Sequence, residues 1–190
     1  IKKLSQAGKS VDEIYETLAF EDIGRAADLL RKTYETSGGI DGYVSLEVNP
    51  HLADKTEETI QEAIRLYETL ARPNVMIKVP ATAAGLPAIT RLIGAGVNVN
   101  VTLIFGLENY QAVADAYISG LEKLAQNGPT VTAGHPVNQV ASVASFFVSR
   151  VDSAIDKELE KLNQQQLIGK SAIANSKLAY AEFKQIFSGS

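Results

Sequence analysis

Apolar positions along this chain switch repeatedly between a spacing of three and four and a spacing of two. Residues 1–37 read as helical. Ser10 followed by Glu13 is a capping-box pattern for a helix opening at Val11. Ile23, Ala26, Ala27, Leu30 and Tyr34 fall on one face of that helix, and Ser37-Gly38-Gly39 ends it. Residues 43–48 then form a short β-type run closed by Asn49-Pro50. Ile60, Ala63, Ile64, Tyr67 and Leu70 restore the helical stripe over 56–72, and Pro73-Asn74 breaks it. The same alternation gives strand 75–79, helix 83–93, strand 97–105 and helix 107–127. A loop over 128–139, strand 140–148 and helices over about 150–163 and 170–187 complete it.

Four strand–helix repeats with helix-length connections predict an α/β fold with a parallel sheet. Parallel strands covered on both faces should be apolar throughout. These are apolar on one face only. Val44, Leu46 and Val48 oppose Ser45, Glu47 and Asn49, while Val75, Ile77 and Val79 oppose Met76, Lys78 and Pro80. Val97, Val99, Val101 and Leu103 oppose Asn98, Asn100 and Thr102. In the fourth strand Val143, Ser145, Phe147 and Ser149 share a face, with Arg150 just past the end. A doubly wound sheet would bury the polar face under helices, at several kcal/mol for each unpaired group. A barrel turns it inward, where the groups pair with one another and with a ligand. The pattern therefore favours a (β/α) barrel over a doubly wound sheet.

The chain has 190 residues, 45% of them hydrophobic, one domain's worth or somewhat less than one large barrel. Its net charge of -4 argues against nonspecific nucleic-acid binding, yet one or two placed cations suffice for a phosphate. With no cysteine there is no disulfide, zinc–thiolate site or thiol nucleophile, and His51 and His135 are too few for a three-histidine metal site. No apolar run approaches the ~18 residues of a membrane span, and the start lacks a signal-peptide core. A cytoplasmic protein with no membrane partner is the expectation.

Lys78, between Ile77 and Val79, is the sharpest chemical candidate. A buried lysine loses solvation, which lowers its pKa and frees an amine able to form a Schiff base with a carbonyl. The competing reading is an edge-strand lysine that guards against aggregation. Glu47 on the neighbouring strand is either its acid/base partner or a structural ion-pair partner. Asn100 and Thr102 suit a substrate hydroxyl or a catalytic water, or else satisfy strand-end backbone. Ser145 and Arg150 suit a phosphate, although a lone arginine at a helix start is also an ordinary surface residue. His51 and His135 read as solvent-facing. Asp152, Asp156 and Glu160 read as the wet face of a helix without metal-ligand spacing.

Four segments, 41–48, 73–82, 96–105 and 143–152, together closely resemble the transaldolase family, in the right order and across nearly the whole chain. The resemblance implies a partial (β/α)8 TIM barrel of the class I aldolase type. The implied reaction moves a dihydroxyacetone unit from a ketose phosphate, such as sedoheptulose 7-phosphate or fructose 6-phosphate, to an aldose phosphate in the pentose phosphate pathway. It implies no metal or organic cofactor and sugar phosphates as the only partners, and leaves the oligomeric state open. Position by position, Lys78 becomes the Schiff-base lysine, and Glu47 and Thr102 handle the catalytic water. Asn100 binds substrate hydroxyls, Ser145 touches substrate, Phe147 lines the pocket and Arg150 holds the phosphate. Related fructose 6-phosphate aldolases usually lack the glutamate, so Glu47 points to transaldolase.

The family's first two strands, with an aspartate and an asparagine, have no counterpart before Tyr43, and the last two strands have none before Ser190. Such barrels have eight strands. The expectation is a single domain, 1–190, that is an internal fragment carrying strands three to six and inactive by itself. The loop 128–139 carries no functional reading.

Overall fold

A computed structural model describes residues 1–188. The N-terminal helical segment is two helices, α1 (Lys2–Gln6) and α2 (Val11–Thr36), parted at Gly8. The capping box forms as the sequence predicts. The Ser10 hydroxyl accepts the Glu13 N–H at 3.2 Å, and the Glu13 carboxylate accepts the Ser10 N–H at 2.8 Å. Then follow β1 (Val44–Glu47), α3 (Thr56–Leu70), β2 (Val75–Pro80), α4 (Gly85–Gly94) and β3 (Val99–Ile104). The remaining elements are α5 (Leu107–Asn127), β4 (Ser142–Phe146), α6 (Ser149–Lys161) and α7 (Ser171–Phe187).

The strands form one parallel sheet in the order β1-β2-β3-β4. Strand order thus follows chain order, with a helix in every crossover. A doubly wound sheet reverses that order at its switch point, so this is the wall of a partial (β/α)8 barrel. Val75, Ile77, Val79, Val99 and Val101 are buried on the outer face against Leu66 and Leu70 of α3 and Ile89, Leu92 and Ile93 of α4. Each such side chain contributes about 1.5–3 kcal/mol of burial, enough to hold the strands in register. Asn74 ties α2 to this core: its amide donates to the Ala27 and Gly42 carbonyls at 2.8 and 2.9 Å.

Period-two alternation fails at one point in β3. Leu103 was expected beside Val97, Val99 and Val101. Instead Leu103 has φ +63°, and the ladder to β4 slips by one residue between Val101 and Ile104. This is a β-bulge. Ile104 takes the fully buried position and Leu103 is left half-buried. A left-handed leucine is strained backbone, here directly after Thr102.

The loop 128–139 also departs from expectation, because His135 is not solvent-facing. It is 5% exposed, and its Nε2 lies 3.0 Å from the Pro73 carbonyl. A carbonyl only accepts, so Nε2 carries the proton. The loop folds under the amino ends of β2 and β3. The His135 N–H donates to the Gly96 carbonyl at 2.8 Å, and the Tyr67 hydroxyl donates to the Ala133 carbonyl at 3.3 Å. Gly96 permits this with φ +87°; a Cβ there would sit 2.6 Å from the His135 carbonyl oxygen. A loop histidine reads as exposed in sequence because nothing local records the strand ends beneath which it tucks.

Asp152 and Asp156 likewise differ from the expected wet helix face. Asp152 accepts the Ala172 N–H at 2.9 Å and Asp156 the Gly169 N–H at 3.1 Å, so they cap the start of α7 and the turn before it. Glu160 is exposed.

Burial holds His135 below the ordinary histidine value of 6.5, outweighing its hydrogen bonds to Pro73 and Gln139. The unfolded chain therefore takes up a proton that the folded chain refuses as pH falls through 6.5. Stability from this group is full above that pH and lost below it, at no more than about 1.4 kcal/mol per pH unit for one proton. Thermal unfolding between pH 7.5 and 5 should show a smaller acid loss in His135→Gln than in the unsubstituted chain. Parallel curves would remove His135 as the cause.

Candidate active site

The parallel register does most of the positioning. Glu47 pairs with Lys78 across β1–β2, and Lys78 pairs with Asn100 across β2–β3. The three side chains therefore stand in one row on the inner face. Lys78 Nζ lies 3.6 Å from a Glu47 carboxylate oxygen, an ion pair beyond hydrogen-bond reach. The Lys78 side chain keeps 29% of its surface and Glu47 keeps 47%. Deep burial of the amine was expected from Ile77 and Val79, but those two face the opposite side of the strand. They are themselves fully buried and do not desolvate the lysine. What bounds it is its own face: Met76 on the same strand, Glu47 on one side and Asn100 on the other.

Asn100 is held from both sides. Its Nδ2 donates to the Ser45 hydroxyl at 3.1 Å, and its Oδ1 accepts the Ser145 hydroxyl at 2.8 Å. Thr102, next on the inner face of β3 and paired with Pro80, is 1% exposed. Asn98, one position below Asn100, is fully buried and belongs to the scaffold. It donates to the Pro73 and Val75 carbonyls at 2.9 and 3.2 Å and accepts the Ala141 N–H at 2.8 Å.

Phe147 and Arg150 sit at the carboxyl end of β4. The Phe147 N–H donates to the Ile104 carbonyl at 2.9 Å, joining the two strand ends. The Arg150 guanidinium lies 4.7 Å over the Phe147 ring, and that ring packs on Phe105 at 5.2 Å between centroids. Arg150 is exposed, in the first turn of α6, where backbone N–H groups and the helix dipole favour an anion. Every residue picked from the sequence thus lies on the inner face or at its carboxyl rim. Sequence reading missed Ser45, whose partner is fixed only by register, and Phe105, which follows its strand directly.

A cavity of about 740 Å³ lies elsewhere, between β4, α5 and α7, lined by Tyr110, Tyr117, Phe146 and Phe183 among others. It is apolar and does not include Lys78. Among the described residues no three His, Asp or Glu side chains converge as metal ligands, and no helix is long and apolar enough to cross a membrane.

An amine beside a carboxylate and an oriented carboxamide, on the inner wall of a parallel barrel, is equipment for carbonyl chemistry. Residues 1–189 match the family model described as Transaldolase/Fructose-6-phosphate aldolase. The chain belongs to the transaldolase/fructose-6-phosphate aldolase family. It is 52% identical over 188 residues to a transaldolase of Saccharopolyspora erythraea, covering 98% of this chain and 49% of that protein. Transaldolases of Mycolicibacterium paratuberculosis and Mycolicibacterium smegmatis are 46% and 47% identical, over 100% and 98% of this chain and 50% of each relative. The chain spans about half the length of these curated relatives.

Asn98 and the Glu47–Lys78 pair differ in how much of the fold rests on them. Asn98→Ala leaves the Val75 carbonyl and the Ala141 N–H without this partner, while His135 still serves the Pro73 carbonyl, and should cost about 2–4 kcal/mol. Glu47→Gln and Lys78→Ala break a partly exposed pair and should each stay within about 1 kcal/mol of the unsubstituted chain. Urea unfolding measures all three. A loss in Lys78→Ala matching that of Asn98→Ala would make the ion pair a structural element.

Proposed function

We propose that the polypeptide carrying this chain is a transaldolase, with Lys78 as its Schiff-base residue. The observation that carries the reading is the Glu47–Lys78–Asn100 row, with its 3.6 Å amine–carboxylate approach, in a chain of this family. The neutral Lys78 amine attacks the ketose carbonyl carbon, forming a C–N bond. The carbonyl oxygen leaves as water once protons have been delivered to it. The resulting protonated imine draws electrons from the neighbouring C–C bond. That bond breaks as the hydroxyl on its far carbon loses a proton, and an aldose phosphate departs. The three-carbon enamine then adds to an acceptor aldehyde, whose oxygen takes up a proton. Water adds to the new imine, the C–N bond breaks, and the amine is restored.

Glu47 and Thr102 handle that water: the carboxylate takes and returns its proton, and the hydroxyl orients it. Asn100 holds substrate hydroxyls, Ser145 touches substrate and Phe147 walls the pocket. Arg150, with the first turn of α6 behind it, holds the phosphate. The imine is itself the electron sink, so the scheme needs no organic cofactor or metal. We place the reaction in the pentose phosphate pathway of the cytoplasm. The chain supplies strands three to six of an eight-stranded barrel and is inactive without the others.

The complete polypeptide, given fructose 6-phosphate, should form a new ketose phosphate only when an aldose phosphate acceptor is added. Steady release of free dihydroxyacetone without acceptor would replace this reading with the fructose 6-phosphate aldolase reaction. Lys78→Ala should lower kcat at least about a thousandfold. Arg150→Ala should raise KM about tenfold or more, the loss of a charge-assisted contact, while acting little on kcat. An unchanged KM would free Arg150 from the phosphate.

A further inference from the structure

Asn100 sits beside Lys78 in the strand register, and its carboxamide serves a substrate hydroxyl only if its plane is held. Neither of its side-chain hydrogen bonds comes from its own strand: Ser145 donates its hydroxyl proton to Oδ1 at 2.8 Å, and Nδ2 donates to Ser45 at 3.1 Å. Ser145 alone would leave the amide free to swing about a single contact, and so would Ser45 alone. Two contacts from opposite sides pin the plane. The two together leave Asn100 one donor and one acceptor committed, and one N–H and one oxygen lone pair free.

We propose that Ser45 is a positioning residue for the transfer reaction, holding the Asn100 carboxamide so that its free N–H and lone pair meet the substrate hydroxyls bound next to the Lys78 imine. This rests on the transaldolase reading above. Ser45 reaches Asn100 across β2, passing the strand that carries Lys78, so the contact exists only in the folded sheet. The Ser45 side chain is half-buried, and its loss opens no cavity in the aliphatic core.

The test is a double-mutant cycle on the complete polypeptide, assayed for transfer from fructose 6-phosphate to an aldose phosphate. Ser45→Ala should lower kcat/KM about tenfold, mainly by raising KM for the ketose, with the thermal midpoint unchanged. Ser45→Thr, which restores the hydroxyl, should recover most of the loss. Asn100→Ala should cost more, and adding Ser45→Ala to it should cost almost nothing further, because Ser45 acts through Asn100. Additive losses in the double variant, or a kcat/KM for Ser45→Ala equal to that of the unsubstituted enzyme, would overturn the proposal while leaving the Lys78 reading intact. An unsubstituted enzyme that transfers nothing would overturn both.

Discussion

The in-register parallel pairing of β1, β2 and β3 is the constraint on which the rest of the structure depends. It places Glu47, Lys78 and Asn100 in a row although 31 and then 22 residues separate them along the chain. The register is held from the opposite face, where fully buried valines and isoleucines pack against α3 and α4. A one-residue slip of β2 would turn Ile77 and Val79 inward and drive Lys78 into the aliphatic layer. The cost of burying that ammonium among hydrocarbons makes the alternative register inaccessible. The fold and the inner-face chemistry are therefore specified by the same alternation.

The two ends of the strands do different work. At the amino ends, Asn74, Asn98 and His135 satisfy buried carbonyls and tie down the loop that follows α5. At the carboxyl ends, Phe105, Phe147 and Arg150 stack toward solvent. Barrels of this kind keep stability at the first end and chemistry at the second. The bulge at Leu103 lies on the carboxyl side, directly after Thr102. Strained backbone collects where a side chain must be aimed rather than merely buried.

Much of this was legible in sequence because alternation with a period of two is a statement about faces. Ser45, Glu47, Lys78, Asn100 and Thr102 could be assigned to one side, and the helices between them fixed the strands as parallel. The capping box at Ser10 and Glu13 was visible for a similar reason: it is local. What escaped was set by contacts distant along the chain. His135 is buried by strand ends that precede it by dozens of residues, and Asp152 and Asp156 cap a helix and turn well downstream. The Leu103 bulge is invisible because leucine gives no sign of a left-handed conformation. The environment of Lys78 was misjudged from its immediate neighbours, which in a strand point the other way.

If Lys78 is the Schiff-base residue proposed above, its amine forms the covalent link to substrate, and chemical trapping reads that link. The complete polypeptide is incubated with fructose 6-phosphate, reduced with borohydride, digested and mapped by mass spectrometry. A reduced three-carbon adduct is expected on the peptide containing Lys78 and on no other lysine. An adduct on a different lysine, or turnover of the ketose with no adduct at all, would contradict the proposal.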